Sequence, residues 1–288
     1  MRCMILILLA AGLWGAMPAA DAALDVTFQS NYIWRGLKND DGPVFQPGVT
    51  VLLGDFTLGA WGNMPLTDQE NGGDAFRFNR GDFSISYDRQ WGRVLLSGGA
   101  ALYVFSQQEF DTTAEVFAGI MVDAPLSPMV TLYQDVAETR GTYLLLGGSH
   151  TIGLGAPDIT DGLEISAGLG FGSSDFKRGY FRGNPDREPG PPAAGGSGGG
   201  VLGDPRAKNG PGDGGVNGGG SGGGMPADDA AWGLTDFSVR LSLPIKLPKG
   251  TISGHIQYVR LADEDIRSPR FEEDDDYVSF GMTYLLIF

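Results

Sequence analysis

Six charged residues stand where they could act on a passing solute: Arg35, Arg80, Asp82, Glu115, Asp135 and Arg240. Each lies in a short segment that alternates apolar with small or polar residues, on the less apolar side of that alternation. Arg35, Arg80, Asp82, Glu115 and Asp135 also fall near the same end of their segments, the end that mostly carries the longer connections. Guanidinium and carboxylate groups facing one another across a passage would create a transverse field that sorts solutes by charge and size. The same residues have a second reading, as ion pairs that fill and stiffen a narrow interior. Charges at membrane depth must face inward and pair.

Other chemistries find little support. The chain has two histidines, His150 and His255. Ser149 directly precedes His150, so in a strand their side chains point to opposite faces and cannot act as nucleophile and base. No Cys and His cluster has metal-ligand spacing. Residues 272–276 form an acidic run with Asp263, Glu264 and Asp265, without the Gly-centred spacing of a calcium loop. A solvated acidic loop is the simpler reading. No catalytic residue, metal or cofactor is expected. The net charge of −15 excludes nucleic acid as a partner, because phosphate binding needs clustered Lys and Arg.

The elements that must position these charges are short. No segment after the N-terminus holds 18 consecutive apolar residues, so no transmembrane helix is expected. Twelve alternating segments recur instead, at 24–36, 45–53, 56–64, 80–87, 94–105, 113–122, 129–136, 142–152, 163–172, 235–243, 251–261 and 277–288. Their connections also alternate. Short turns such as Gly54-Asp55 take one side and longer polar loops such as 67–79 and 262–276 the other. That arrangement predicts an all-β fold: a transmembrane antiparallel up-and-down β-barrel of about twelve strands. Closure pairs every strand edge, as a water-free bilayer demands. Tyr32, Trp34, Trp61, Trp91, Trp232 and Tyr284 near segment ends suggest aromatic girdles at the two interfaces.

Three further segments bear on processing and assembly. Residues 1–22 have Arg2, an apolar run from Met4, Pro18 and Ala20-Asp21-Ala22, the pattern of a cleaved secretory signal peptide. The mature domain is then 23–288 and lacks Cys, since Cys3 lies in the leader. Residues 173–231 form a long extracellular loop in which 17 of the 35 residues from Gly190 to Gly224 are Gly. Such a stretch buries too little apolar surface to order itself. At the C-terminus, Phe280, Met282, Tyr284, Leu286 and Phe288 share one face of the last segment, ending on the final residue. That pattern looks like the signal that outer-membrane barrels present to the barrel-assembly machinery.

Ser30-Asn31-Tyr32-Ile33-Trp34-Arg35-Gly36-Leu37 resembles the opening of the TorF-type family of porins. Thr113 to Gly119, Leu126-Ser127-Pro128, Leu132 to Asp135, Gly141-Thr142-Tyr143 and Ser149-His150 resemble later blocks of that family. The Gly-rich loop departs from it. The resemblance implies an outer-membrane barrel in contact with lipid, passing an unidentified small hydrophilic solute. The alternative is a closed structural or surface-interaction barrel; an enzyme is the weakest reading.

Overall fold

The computed structural model describes residues 22–68, 74–106, 111–182, 232–262 and 276–288. The expectations for residues 1–21, for the Gly-rich stretch and for the acidic run before Asp276 lie outside the described residues.

In chain order the elements are β1 (Ala22–Gln29), β2 (Tyr32–Trp34), β3 (Leu37–Asp40), β4 (Val44–Leu53), β5 (Phe56–Pro65), β6 (Arg80–Trp91), β7 (Val94–Phe105), β8 (Thr113–Val122), β9 (Met129–Asp135), β10 (Thr142–Ile152), β11 (Leu163–Gly172), α1 (Ser174–Lys177), β12 (Gly233–Leu247), β13 (Gly250–Leu261) and β14 (Asp276–Ile287). A tight helical turn, Arg178–Arg182, continues α1. Twelve of the strands close an antiparallel barrel, each beside its neighbour in sequence, and β14 returns to β1. The closing register runs from Ala23 opposite Ile287 to Gln29 opposite Gly281. The Phe288 amide donates to the Ala22 carbonyl at 2.9 Å, so the start of β1 and the end of β14 both lie at the short-turn end.

The polarity of this barrel is inverted relative to a soluble one. Along β1, Asp25, Thr27 and Gln29 are buried, while Leu24 and Phe28 at the opposite parity are exposed. On β14, Ser279 is buried and Val278, Phe280 and Met282 are exposed. The same parity places Ile85, Ile120, Leu132 and Ile256 outside. Alternation at period two thus puts an apolar band around the outside and polar groups within.

One strand was longer in the sequence than in space. The barrel strand within residues 24–36 ends before Ser30-Asn31, and β2 and β3 form their own two-stranded sheet. The Ser30 amide bonds to the Phe280 carbonyl, and Asn31 Nδ2 donates to the Val278 carbonyl at 3.1 Å. From there the hairpin dips into the barrel. Tyr32 and Trp34 are therefore buried inside, as is Trp61 on β5, and none of the three belongs to an outer girdle. Trp91 and Trp232 are exposed.

Glycines shape the inner wall. Phe117 pairs across the ladder with Gly99, and a β-carbon on Gly99 would lie 2.6 Å from the Phe117 ring. It would also strike the Ile85 carbonyl of the strand on the other side. His255 lies in the same way over Gly281, and Asp25 over Gly48. Large inward side chains therefore lie flat along the wall rather than across the axis. Gly99→Val is expected to lower stability by about 1–3 kcal/mol through overpacking. Unfolding of the detergent-refolded barrel in guanidinium chloride, compared with a Gly98→Val control, checks this.

Candidate functional site

The candidate site is the loop-end interior, where the β2–β3 hairpin and α1 meet the wall. Arg35 and Gly36 form the hairpin tip, with φ of 51° and 83°. Positive φ at both central positions is what a type I′ two-residue hairpin turn requires. Asn-Gly or Gly-Gly meets that need easily, whereas Arg in the left-handed region stores about 1–3 kcal/mol of strain. At Gly36 a β-carbon would lie 2.7 Å from Leu261 Cδ2 and 2.9 Å from Asp236 Cβ, so the tip is also sterically confined.

What holds Arg35 there is a fully enclosed ion pair. Its Nη1 and Nη2 donate to the two Glu115 carboxylate oxygens, each at 2.7 Å. Both side chains are 1% exposed. Tyr103 donates its hydroxyl to Glu115 Oε2 at 2.9 Å. The guanidinium carbon lies 4.6 Å from the Trp34 ring centre, 4.4 Å from Tyr133, 4.6 Å from Tyr143 and 5.7 Å from Phe176. Desolvated contacts of this kind are worth about 2 kcal/mol. Burial by itself would lower the Arg35 pKa; the Glu115 carboxylate, with Tyr103 and Tyr133, outweighs it and holds the group above its ordinary value.

Arg80 repeats the arrangement on β6. Its Nε and Nη2 donate to Asp82 at 2.7 and 3.1 Å, and its guanidinium stacks 4.2 Å from Trp34 and 4.8 Å from Tyr103. Trp34 thus touches both buried guanidinium groups. Asp135 has a different role. It accepts from Thr113 Oγ1 at 2.6 Å, from Tyr180 at 3.3 Å and from the Ala137 and Arg140 amides, tying a short loop and the α1 segment to β9. Phe176 packs 5.0 Å from both Tyr143 and Tyr180. Ser173 caps α1 through its hydroxyl and also accepts the Thr142 amide.

A second network fixes the returning arm of the hairpin. Asn63 and Asn79 each donate to the Asp40 carboxylate, at 2.6 and 2.9 Å, and Gln46 donates to Asn63 at 2.6 Å. Burial pushes the Asp40 carboxyl up to about 6, against those two hydrogen bonds, with Asp41 adding repulsion.

The structure brings Arg35, Arg80, Asp82, Glu115 and Asp135 together at one level. They are local pairs rather than opposed rings: Arg80 and Asp82 sit on the same strand, and Arg35 comes from the hairpin tip. Arg240 lies apart, facing inward at mid-barrel, where its Nε donates to Ser242 Oγ at 3.2 Å and Glu164 is its acidic neighbour. The Trp34, Tyr103, Tyr133, Tyr143 and Phe176 cradle and the Asp40 network were not singled out by sequence reasoning. The cue available was the recurrence of Tyr at inward-parity positions near the loop end. His150 faces outward, paired with Ile165, while His255 faces inward, so the two histidines share no site. Phe280, Met282 and Phe288 are exposed on the outer face, with Tyr284 and Leu286 at the same parity.

Below this level the interior changes character. Inward residues nearer the turn end include many small ones, among them Gly59, Ser84, Ser97, Gly119, Ser166 and Thr283, which remain partly exposed, beside buried Leu95, Met129 and Leu285. Among the described residues its charged members include Asp25, Asp88, Glu164 and Arg240, an excess of carboxylate, while Lys246 at the turn end pairs with Asp161.

No protein-family model matches the chain, so the resemblance to the TorF-type family rests on the short sequence blocks alone. No curated protein matches it either. Among solved structures it is similar to a KdgM porin, at 10% identity and a TM-score of 0.47, covering 92% of this chain and 99% of that one. A NanC porin is similar at 10% identity and a TM-score of 0.44, covering 92% and 98%. An outer membrane channel from Pseudomonas putida F1 gives 10% and 0.44, covering 95% and 97%. A likeness this distant is one of barrel shape and carries no solute or partner with it.

Two outcomes are expected. Glu115→Ala leaves a buried guanidinium unpaired and should cost about 3–5 kcal/mol, whereas Arg35→Met with Glu115→Leu should recover most of that loss. A double-mutant cycle on chemical unfolding measures both. The raised Asp40 pKa means that the packed hairpin binds the proton more tightly than the released one. Its docking should be strongest near pH 4 and weaken as pH rises towards about 6. Hydrogen exchange of amides 32–40 follows this, and Asp40→Asn should flatten the dependence.

Proposed function

We propose that this chain is an outer-membrane channel for small hydrophilic solutes, closed at its outer mouth in the present conformation. The observation that carries this reading is the change of character along the axis. Inward residues at the hairpin level are buried, whereas many beneath it, such as Gly59, Ser84, Ser97 and Ser166, are small and partly exposed, with Leu95, Met129 and Leu285 as buried apolar exceptions. Twelve strands enclose more room than side chains fill in an eight-stranded barrel. The hairpin, rather than the wall, then limits passage.

The membrane setting is part of the same proposal. A continuous apolar exterior is stable against acyl chains and unstable against water. The exposed parity of Phe280, Met282, Tyr284, Leu286 and Phe288 supports their reading as the assembly signal. The leader at residues 1–22 and the long loop at 173–231 complete the proposed organisation of the chain, with the loop end facing outward.

A second reading has its own support. The paired, enclosed charges at the hairpin level suit a permanently closed barrel that acts through its surface loops. Planar-bilayer recording of the refolded mature chain separates the two. Brief discrete steps are expected from the wild type. Glu115→Ala, which unlatches the hairpin, should be open for at least a tenfold larger fraction of time. Arg35→Ala should shift selectivity towards cations by exposing Glu115. A folded barrel that stays silent in all three forms would overturn the channel reading.

A further inference from the structure

We propose that the strand-borne part of the Arg35 cradle is a binding site for an organic cation carrying a guanidinium group, and that Arg35 is its internal occupant. The proposal rests on the channel reading only in naming that cation as a solute. The residues concerned, Tyr103, Glu115, Tyr133 and Tyr143, sit on the successive strands β7, β8, β9 and β10. Their positions are fixed by barrel registers in which the hairpin takes no part.

These groups recognise a planar cation from two directions. Glu115 meets it edge-on with both oxygens, at 2.7 Å each, and is oriented by the Tyr103 hydroxyl. Tyr133 and Tyr143 meet it at 4.4 and 4.6 Å from their ring centres. Tyr143 is itself held by its 3.0 Å hydrogen bond to Asp236, made across Gly170. The wall therefore keeps the recognition geometry whether or not Arg35 is present.

Arg35 fills this site at a disadvantage. Its backbone is left-handed at φ 51°, and its hairpin arm carries the buried Asp40 carboxyl. A free cation with the same head group would make the same contacts without that strain. Replacing Arg35 and releasing the hairpin would then be one equilibrium, so the solute would open its own path. The carboxylate excess on the wall beneath, Asp25, Asp88 and Glu164 against Arg240, favours the passage of a cation over an anion.

The test uses methylguanidinium and its neutral isostere methylurea on the refolded mature chain in detergent, followed by titration calorimetry. Arg35→Ala should bind methylguanidinium saturably and at least tenfold more tightly than the wild type does, with no matching response to methylurea. Adding Glu115→Gln should abolish that binding. In the wild type, methylguanidinium should speed hydrogen exchange of amides 32–40, and methylurea should not; this second measurement decides the matter if Arg35→Ala fails to fold. Folded Arg35→Ala that does not distinguish the two probes, or that keeps binding without Glu115, overturns the site. So does unchanged exchange in the wild type. Binding without any conductance would sink the channel reading and leave the site standing. Conductance without binding would sink the site alone.

Discussion

The pairing of β1 with β14 is the constraint on which the other strands depend. Without it, two edges would present rows of unpaired amides and carbonyls, and the inward polar residues would lie open on one side. With it, each barrel strand has two neighbours, and the alternation along each has only one way to face. The register is pinned at both ends of the seam. The Phe288 amide bonds to Ala22 at one end and the Ser30 amide to Phe280 at the other. A one-residue slip would turn Asp25 and Gln29 outward and Leu24 and Phe28 inward, so the polarity of the faces enforces the seam as strongly as the ladder does.

Within that frame the hairpin creates its own environment. Two guanidinium groups that would be costly to enclose singly are each matched by a carboxylate and stacked on aromatic rings, with Trp34 common to both. The aromatic residues exclude water, which strengthens the ion pairs, and the ion pairs fix the hairpin that delivers Trp34. Each half presupposes the other. Removing one carboxylate is therefore a larger perturbation than its two hydrogen bonds suggest.

The barrel was legible in the sequence because period-two alternation is a local signal that closure does not change. Each of the twelve expected segments overlaps a barrel strand. The inward hairpin was illegible for a specific reason. Leu24, Val26, Phe28, Tyr32 and Trp34 keep one parity throughout, and Ser30-Asn31 is a mild interruption without Gly or Pro. The chain reverses its surroundings there without breaking its pattern. Arg35-Gly36 was the available hint of a tight turn, and its polar neighbours masked it. The site charges were found by parity, but their partners depend on contacts distant in sequence, such as Arg35 with Glu115, which no local pattern records. Similarly, α1 lay at the start of what composition marked as a long loop.

The glycines beneath flat-lying side chains give the bore an unusual kind of tunability. Phe117, His255 and Asp25 stay clear of the axis because Gly99, Gly281 and Gly48 leave them somewhere to lie. Exchange of such a glycine would raise its neighbour into the lumen like a baffle. The calibre of this barrel is thus encoded less by its bulky interior residues than by the smallest ones beside them, and drift at those positions would narrow the conduit in steps the size of one side chain.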